Sequence, residues 1–175
     1  MLNLIIGGAG SGKSAFAERL VCRLPGKRVY LATMTAGDAE SRSRIARHRA
    51  QRAALEFETL ECGTDLAGSM RDGAAIPDRA NVLLEDLSNL LATEMFGPHG
   101  GGIGAVRAGV QALRRSCGHL TVVTNDVFAD GNRYEGEMLA YLENLAALNR
   151  ELALAADLAV EVVCGVPNVL KGSLP

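Results

Sequence analysis

The sequence predicts an α/β protein with a mostly parallel sheet and helices on both of its faces. Short apolar segments alternate along the chain with longer helical segments, which is the order of strand–helix–strand units. Segments such as Val82–Leu84 are continuous apolar runs, typical of parallel strands that are buried on both sides. No repeat or linker divides the 175 residues, so we expect a single domain over residues 1–175.

The first predicted strand, Leu2–Ile6, leads directly into a glycine-rich loop. Residues 7–14 read G-G-A-G-S-G-K-S and match the pattern G-x-x-x-x-G-K-[ST]. Backbone N–H groups of such a loop approach phosphate oxygens, and the positive end of the following helix faces the same point. A chance match is the alternative, which the flanking strand and helix disfavour. The sequence predicts a nucleoside triphosphate site formed by Gly7, Gly8, Ala9, Gly10, Ser11, Gly12, Lys13 and Ser14.

Two side chains at the end of this loop carry distinct chemistry. Lys13 can reach the outer phosphates as a point charge, and the Ser14 hydroxyl can ligate a Mg²⁺ ion that bridges them. We therefore expect Mg²⁺ to bind together with ATP or GTP.

The remaining elements follow in order. We expect helices over residues 13–24, 39–54, 64–72, from residue 87, 105–116 and 134–155. Strands are expected over residues 28–33, 57–61, 80–85, 119–124 and 158–163, the last completing the sheet. Residues 167–175 are then a tail, and the glycine-rich segment 97–102 is either a lid or a long connection.

Composition excludes several function classes. The net charge of −2, from 18 basic and 20 acidic residues, argues against nucleic-acid or membrane-surface binding through bulk charge. The N-terminal apolar run is too short for a signal peptide or a membrane span. The four cysteines are far apart, which is typical of reduced and mostly buried thiols. We therefore expect a cytoplasmic protein.

An acidic pair follows the apolar strand Val82–Leu84. Proteins with this loop usually place an acidic residue at the end of a buried strand to hold the magnesium shell. Glu85 and Asp86 are the candidates, and only one can point towards the phosphates because side chains alternate along a strand. Glu85 is preferred because it lies in the strand proper. The alternative is that Asp86 caps a helix and Glu85 lies on the surface.

The predicted helix over residues 39–54 is rich in arginine. Arg44, His48 and Arg52 are spaced by four residues and share one helical face. Flanking guanidinium groups disfavour imidazolium, and a neutral imidazole can act as a nucleophile beside cations that bind phosphates. A solvated basic face with an incidental histidine is the alternative that spacing alone leaves open.

The motifs resemble those of the bifunctional adenosylcobinamide kinase/adenosylcobinamide-phosphate guanylyltransferase family of cobalamin biosynthesis. After the glycine-rich loop, this family has Y-x-A-T and then D-x-E-M-x-x-R-I-x-x-H-x-x-x-R, matched here by residues 30–33 and 38–52 with Ser41 in place of Met. Its L-[DE]-C is similar to residues 84–86, with Asp86 in place of Cys, and its V-[ST]-N-E-V to residues 123–127. Residues 128–133 and 141–146 depart from the family pattern, although Asn149 is kept.

The resemblance implies a two-step enzyme with a RecA-like fold that assembles as a homotrimer. The first step phosphorylates adenosylcobinamide with ATP or GTP. In the second, the histidine aligned with His48 attacks the α-phosphate of GTP and carries GMP to the phosphorylated corrinoid, giving adenosylcobinamide-GDP. The implied catalytic residues are His48 and Lys13. The implied nucleotide ligands beyond the loop are Thr33, Arg44, Arg52, Glu61 and Glu85, and Ser14 and Glu85 are the implied metal ligands.

Two other functions remain compatible with the motifs. One is a divergent kinase or nucleotidyltransferase that acts on another substrate, suggested by the altered segment over residues 126–146. The other is a regulatory module that binds GTP without turnover, which the presence of Lys13, Ser14, His48 and Glu85 disfavours.

Overall fold

Seven strands form one sheet in the computed structural model, which describes residues 1–34, 55–71, 76–128 and 131–175. The order across the sheet is β3-β2-β4-β5-β1-β6-β7. All pairings are parallel except that of β6 with β7. The strands are β1 (Leu2–Gly7), β2 (Arg28–Ala32), β3 (Phe57–Glu61), β4 (Asn81–Glu85), β5 (His119–Asn125), β6 (Leu158–Val163) and β7 (Val166–Lys171).

Five helices are described between these strands. They are α1 (Lys13–Cys22), α2 (Leu66–Arg71), α3 (Leu87–Phe96), α4 (Gly102–Ser116) and α5 (Gly136–Ala155). The predicted strand–helix alternation is confirmed, with shifts of one to three residues at most boundaries. The predicted arginine-rich helix over residues 39–54 falls wholly within residues 35–54, outside the described part of the chain.

The side chains of the sheet alternate between two apolar layers. Val29 and Leu31 pack in the larger cluster, which α2, α3, α4 and α5 cover, whereas Tyr30 between them packs against α1 on the opposite face. This alternation is the two-residue period of a strand, and it explains the continuous apolar runs, because both faces are covered. The mostly parallel sheet with helices on both faces is therefore confirmed.

The C-terminal region differs from the prediction. Residues 166–171 are not a tail but strand β7, which pairs with β6 through the register Val163↔Val166 and Val162↔Pro167. Every residue of β7 is exposed, as expected of an edge strand, and Pro167 is tolerated there because an edge strand needs fewer backbone donors. The Lys171 ammonium group donates to the carbonyls of Ala153 and Leu154 at the end of α5, which ties the end of β7 to this helix.

The glycine-rich segment after α3 is anchored by a buried carboxylate. Glu94 is 2% exposed, and its two carboxylate oxygens accept hydrogen bonds from the backbone N–H groups of Asp65 and Gly101, both at 2.7 Å. A Cβ atom at Gly100 would lie 2.0 Å from the carbonyl oxygen of Glu94, so the chain passes this point too closely for any side chain. These contacts favour a long connection rather than a lid.

Replacing Glu94 with alanine is expected to destabilise the fold. Two partly buried backbone N–H groups would lose a charged acceptor, so we expect the free energy of unfolding to fall by about 3 kcal/mol. Urea denaturation measures this change. Glu143→Ala, the same substitution at an exposed position of α5, is the matched control and should change it by less than about 0.5 kcal/mol. Equal effects of the two substitutions would contradict the anchoring role of Glu94.

Candidate active site

The loop over residues 7–14, called the phosphate loop below, follows β1 at the carboxyl edge of the sheet. Gly7 ends β1, where a Cβ atom would lie 2.6 Å from the Val162 carbonyl oxygen, so only glycine fits. Gly12 has a φ of 88°, a left-handed conformation that glycine adopts without strain, and it begins α1 with no side chain to cap it. The N–H groups of the first turn of α1 therefore remain available for an anionic ligand.

Lys13 and Ser14 lie at the mouth of this loop. The Lys13 ammonium group is mostly buried and donates to the Gly8 carbonyl at 3.2 Å, which holds it across the loop. The Ser14 hydroxyl donates to Oε1 of Glu85 at 2.5 Å. This hydrogen bond brings together the two predicted metal ligands, Ser14 and Glu85, from two separate segments, and Lys13 lies next to Ser14 in the first of them.

Glu85 has the geometry expected of a metal ligand. It ends β4, and its second oxygen, Oε2, is buried with no hydrogen-bond partner among the described residues. An unpartnered buried carboxylate oxygen beside a serine hydroxyl is a suitable pair of ligands for Mg²⁺, which prefers oxygen and takes its other ligands from phosphates and water. No cluster of three or more acidic, histidine or cysteine side chains forms a self-sufficient metal site in the described ranges. The residues present thus fit a magnesium ion that arrives with a nucleotide.

The neighbouring carboxylate of Asp86 has a structural role. Oδ1 accepts from the Ser88 hydroxyl at 2.5 Å and from the Asn89 N–H at 2.8 Å, which makes Asp86 the N-cap of α3. Oδ2 accepts from the side-chain amides of Asn89 and Asn125, both at 3.2 Å. With both oxygens engaged, Asp86 is poorly placed to bind a metal, and this supports the choice of Glu85.

Burial sets the ionisation of Glu85. The pKa of Glu85 rises from 4.5 to about 8, chiefly because burial removes the carboxyl group from water. The hydrogen bond from Ser14 and the charge of Lys13 lower the pKa, and the carboxylates of Asp86 and Glu18 raise it. Glu18 is buried on α1, four residues after Ser14 and so on the same helical face. The negative surroundings favour either a proton or a cation at Glu85.

Thr33 and Glu61, two other predicted nucleotide ligands, lie in different parts of the structure. The Thr33 hydroxyl donates to the carbonyl oxygens of Glu85 and Asp86, at 3.0 and 2.8 Å, so it holds the end of β4. Glu61 ends β3, which lies four strands away from β1 in the sheet order. Nucleotide contacts from either residue stay predictions. Arg44, His48 and Arg52 lie outside the described residues.

Sequence reasoning missed a polar network behind the site. The side-chain amide of Asn125 donates to the Ser88 hydroxyl at 2.5 Å as well as to Asp86. The side-chain carbonyl oxygen of Asn149 accepts from the Thr124 hydroxyl at 2.8 Å. Tyr141 donates to the Ser88 carbonyl at 3.2 Å. These contacts join β4, β5, α3 and α5 at one edge. The sequence signals were the position of Asn125 directly after an apolar run, the similarity of residues 123–127 to a family motif, and the retained Asn149.

Three features define a P-loop nucleotide-binding protein. The phosphate loop follows the first strand of a mostly parallel sheet, α1 begins at this loop, and a buried acidic residue ends another strand. The fold is similar to that of the RadB recombinase, with a TM-score of 0.52 over 91% of this chain and 73% of that chain, at 15% identity. The RecA-like fold class is thus confirmed.

The sequence comparisons identify the family. The profile described as cobinamide kinase / cobinamide phosphate guanyltransferase matches residues 3–170. The chain is 34% identical to the bifunctional adenosylcobalamin biosynthesis protein CobP of Pseudomonas aeruginosa, over 98% of each chain. It is 30% identical to the bifunctional protein CobU of Salmonella typhimurium, over 98% of this chain and all of that one. This chain belongs to the cobinamide kinase / cobinamide phosphate guanyltransferase family, and the resemblance seen in its motifs is confirmed.

Binding of magnesium nucleotide is expected to release a proton from Glu85. Because the pKa of Glu85 is about 8, its carboxyl group is mostly protonated at lower pH in the free protein. The cation binds only the ionised form. Without metal, the stability of the fold should fall as pH rises from 4.5 towards 8, because the folded state holds the proton more tightly than the unfolded chain. Nucleotide affinity should rise over the same interval and then level off.

Calorimetry in two buffers of different ionisation enthalpy counts the released protons. We expect about one more proton released by the wild type than by Glu85→Gln at about pH 6.5, and no difference at about pH 9.5. Nucleotide added with a chelator in place of magnesium is the control and should remove the difference. The same proton count for both proteins at the lower pH would contradict this assignment.

Proposed function

We propose that this chain catalyses both reactions of its family, on adenosylcobinamide and then on adenosylcobinamide phosphate. The observation that carries the proposal is the hydrogen bond between Ser14 on α1 and Glu85 on β4, directly beside the phosphate loop. It creates a site for a magnesium-bound triphosphate, which both a phosphoryl donor and a nucleotidyl donor must occupy.

In the first reaction, a corrinoid hydroxyl oxygen attacks the γ-phosphorus of ATP or GTP. A bond from this oxygen to phosphorus forms, the bond to the bridging oxygen breaks, and the nucleoside diphosphate leaves. Ser14 and Glu85 would hold Mg²⁺, which when bound neutralises charge on the phosphates. Lys13 would exchange its hydrogen bond to the Gly8 carbonyl for one to an outer phosphate oxygen. The loop N–H groups and the first turn of α1 orient the chain of phosphates.

In the second reaction, a nitrogen atom of His48 attacks the α-phosphorus of GTP and pyrophosphate leaves. An oxygen of the corrinoid phosphate then attacks the same phosphorus, the P–N bond breaks, and adenosylcobinamide-GDP forms with free histidine. Arg44 and Arg52 would bind the phosphates and keep the imidazole neutral before attack. The support for these roles is the match of residues 38–52 to the family motif.

Three further properties belong to this proposal. A single domain over residues 1–175 is supported by one sheet that contains both β1 and β7. A homotrimer is supported by the resemblance to the family, and the exposed apolar side chains of the edge strand β7 offer a surface for association with other copies. A cytoplasmic location is supported by four free cysteines. No described helix is long and apolar enough to span a membrane.

A covalent GMP adduct on His48 is the expected sign of the second reaction. After incubation with GTP and Mg²⁺, intact-mass spectrometry should detect an acid-labile gain of one GMP on the wild type. His48→Ala should lack it, because no imidazole remains to attack the phosphorus. His99→Ala, at another histidine of the chain, is the matched control and should keep the adduct. No adduct on the wild type would contradict the covalent mechanism.

Loss of Lys13 is expected to impair the first reaction. Lys13→Ala removes a cation from developing negative charge, so kcat/KM for phosphorylation of adenosylcobinamide should fall by at least about a hundredfold. Lys27→Ala, at an exposed lysine before β2, should leave the rate nearly unchanged. Phosphate transfer from labelled ATP measures both. Equal rates for the two variants would exclude a role for Lys13 at the transferred phosphate.

A further inference from the structure

Asn125, the last residue of β5, lies between the phosphate loop and Glu85. Strand β5 pairs with β1 on one side and with β4 on the other, and Asn125 is directly opposite Gly7 in the register with β1. The next backbone N–H, that of Asp126, donates to the Gly7 carbonyl at 3.0 Å. The Asn125 side chain reaches Asp86, the residue after Glu85. It therefore borders the place where the outer phosphates and their metal would lie.

Hydrogen bonds fix the orientation of the Asn125 side-chain amide. A carboxylate only accepts hydrogen bonds, so the amide atom that lies 3.2 Å from Oδ2 of Asp86 is the nitrogen. The Ser88 hydroxyl donates its hydrogen to Oδ1 of Asp86, and it therefore accepts from the same amide nitrogen at 2.5 Å. Both N–H bonds of the amide are thus used, and the side-chain oxygen, Oδ1, is directed away from these two partners.

The side-chain oxygen of Asn125 is an open hydrogen-bond acceptor. No residue in the described part of the chain donates to it, and the half-buried side chain leaves it accessible to a ligand. The neighbouring polar groups are occupied, since Asp86 uses both oxygens and the Thr33 hydroxyl donates to backbone carbonyls. Ionised phosphate oxygens are acceptors themselves and offer this oxygen no hydrogen. A hydroxyl group is a suitable donor.

We propose that the side-chain oxygen of Asn125 accepts a hydrogen bond from the corrinoid hydroxyl that attacks the γ-phosphorus in the first reaction. The assignment rests on the proposed function, because it takes the phosphates to lie in the phosphate loop with the metal at Ser14 and Glu85. This hydrogen bond turns a lone pair of the hydroxyl oxygen towards phosphorus.

The atoms of this step balance without a further reactant. The hydroxyl oxygen forms the bond to phosphorus, and the bond from phosphorus to the bridging oxygen breaks. The hydroxyl proton passes to an oxygen of the transferred group and then to water. Asn125 orients the hydroxyl and takes no proton, because an amide oxygen is a very weak base.

This role of Asn125 is limited to the first reaction. In the second, the attacking atoms are an imidazole nitrogen and an ionised oxygen of the corrinoid phosphate, and neither carries a hydrogen for Asn125 to accept. Substitution of Asn125 should therefore affect the two reactions of the same protein differently.

Asn125→Ala should lower kcat for phosphorylation of adenosylcobinamide about a hundredfold, because the hydroxyl is no longer oriented. KM for ATP and the rate of GMP adduct formation on His48 should stay within about threefold of the wild type. Transfer of phosphate from labelled ATP measures the first reaction. Intact-mass spectrometry after brief incubation with GTP and Mg²⁺ measures the adduct.

Ser88→Ala is the matched control for support of the site. It removes one acceptor of the Asn125 amide and one donor to Asp86, yet it leaves the Asn125 oxygen in place. If Asn125 only supported Asp86, the loss of Ser88 would be at least as harmful as the loss of Asn125. We expect Ser88→Ala to lower kcat for phosphorylation by less than about tenfold.

Exchanging the two partners provides a second variant. Asp86→Asn combined with Asn125→Asp keeps one hydrogen bond between an amide and a carboxylate, and it keeps an oxygen as the open acceptor at position 125. We expect kcat for phosphorylation within about tenfold of the wild type. A larger loss would contradict the inference, whether or not Asn125→Ala folds. If the Asn125 amide donated to a phosphate, a carboxylate there would repel the nucleotide and such a loss would follow.

The remaining outcomes separate this inference from the proposed function. An unchanged kcat for Asn125→Ala, or equal losses for Asn125→Ala and Ser88→Ala, would overturn the inference alone. Parallel loss of ATP binding and of adduct formation in Asn125→Ala would indicate contact with the metal or its water, and would also overturn it. Absence of adenosylcobinamide phosphorylation by the wild type would overturn the proposed function together with the inference.

Discussion

The hydrogen bond between the Ser14 hydroxyl and the Glu85 carboxylate is the contact on which the site depends. It joins the start of α1 to the end of β4, with β5 lying between β4 and β1 in the sheet. Burial of Glu85 disfavours its charged form, so the pocket is electrostatically incomplete until a cation or a proton enters. Among the described residues, Oε2 of Glu85 has no hydrogen-bond partner, an unfavourable arrangement that a bound cation or proton would relieve.

The two adjacent acidic residues, Glu85 and Asp86, have different hydrogen-bonding roles. Asp86 uses both oxygens to cap α3 and to hold the Asn125 amide, while Thr33 donates to the backbone carbonyls on either side of the Glu85–Asp86 peptide. The backbone that carries Glu85 is thereby held from β2, β5 and α3 at once. Such support limits the freedom of the Glu85 carboxylate, the predicted metal ligand, and is the usual requirement for accurate placement of phosphates.

The sequence predicted the parts of the structure that depend on local pattern. The phosphate loop, the position of Glu85 at the end of β4 beside Ser14, and most helix and strand positions follow from short motifs and from apolar runs. Strand β7 was missed because Pro167 and the absence of alternation hide an edge strand whose only partner is β6. The expectation that the cysteines are mostly buried was wrong for Cys164, because a hairpin turn exposes it.

Contacts between distant segments were also beyond the sequence. Glu94 gives no sign that it accepts N–H groups from residues 65 and 101, and Asn149 gives none that it binds Thr124. The roles of Arg44, His48 and Arg52 rest on the family motif and stay predictions.

Asp157 lies close to both the start of β1 and the end of β7. Its carboxylate accepts from the Leu2 N–H at 2.7 Å, and its carbonyl oxygen lies 2.3 Å from where a Cβ atom of Gly172 would be. The start of β1 and the end of β7 therefore both approach Asp157, at the end of the strands that is opposite the phosphate loop. A short linker from the end of β7 to the start of β1 would not cross the phosphate loop, so the topology suits circular permutation with new termini opened in an exposed connection.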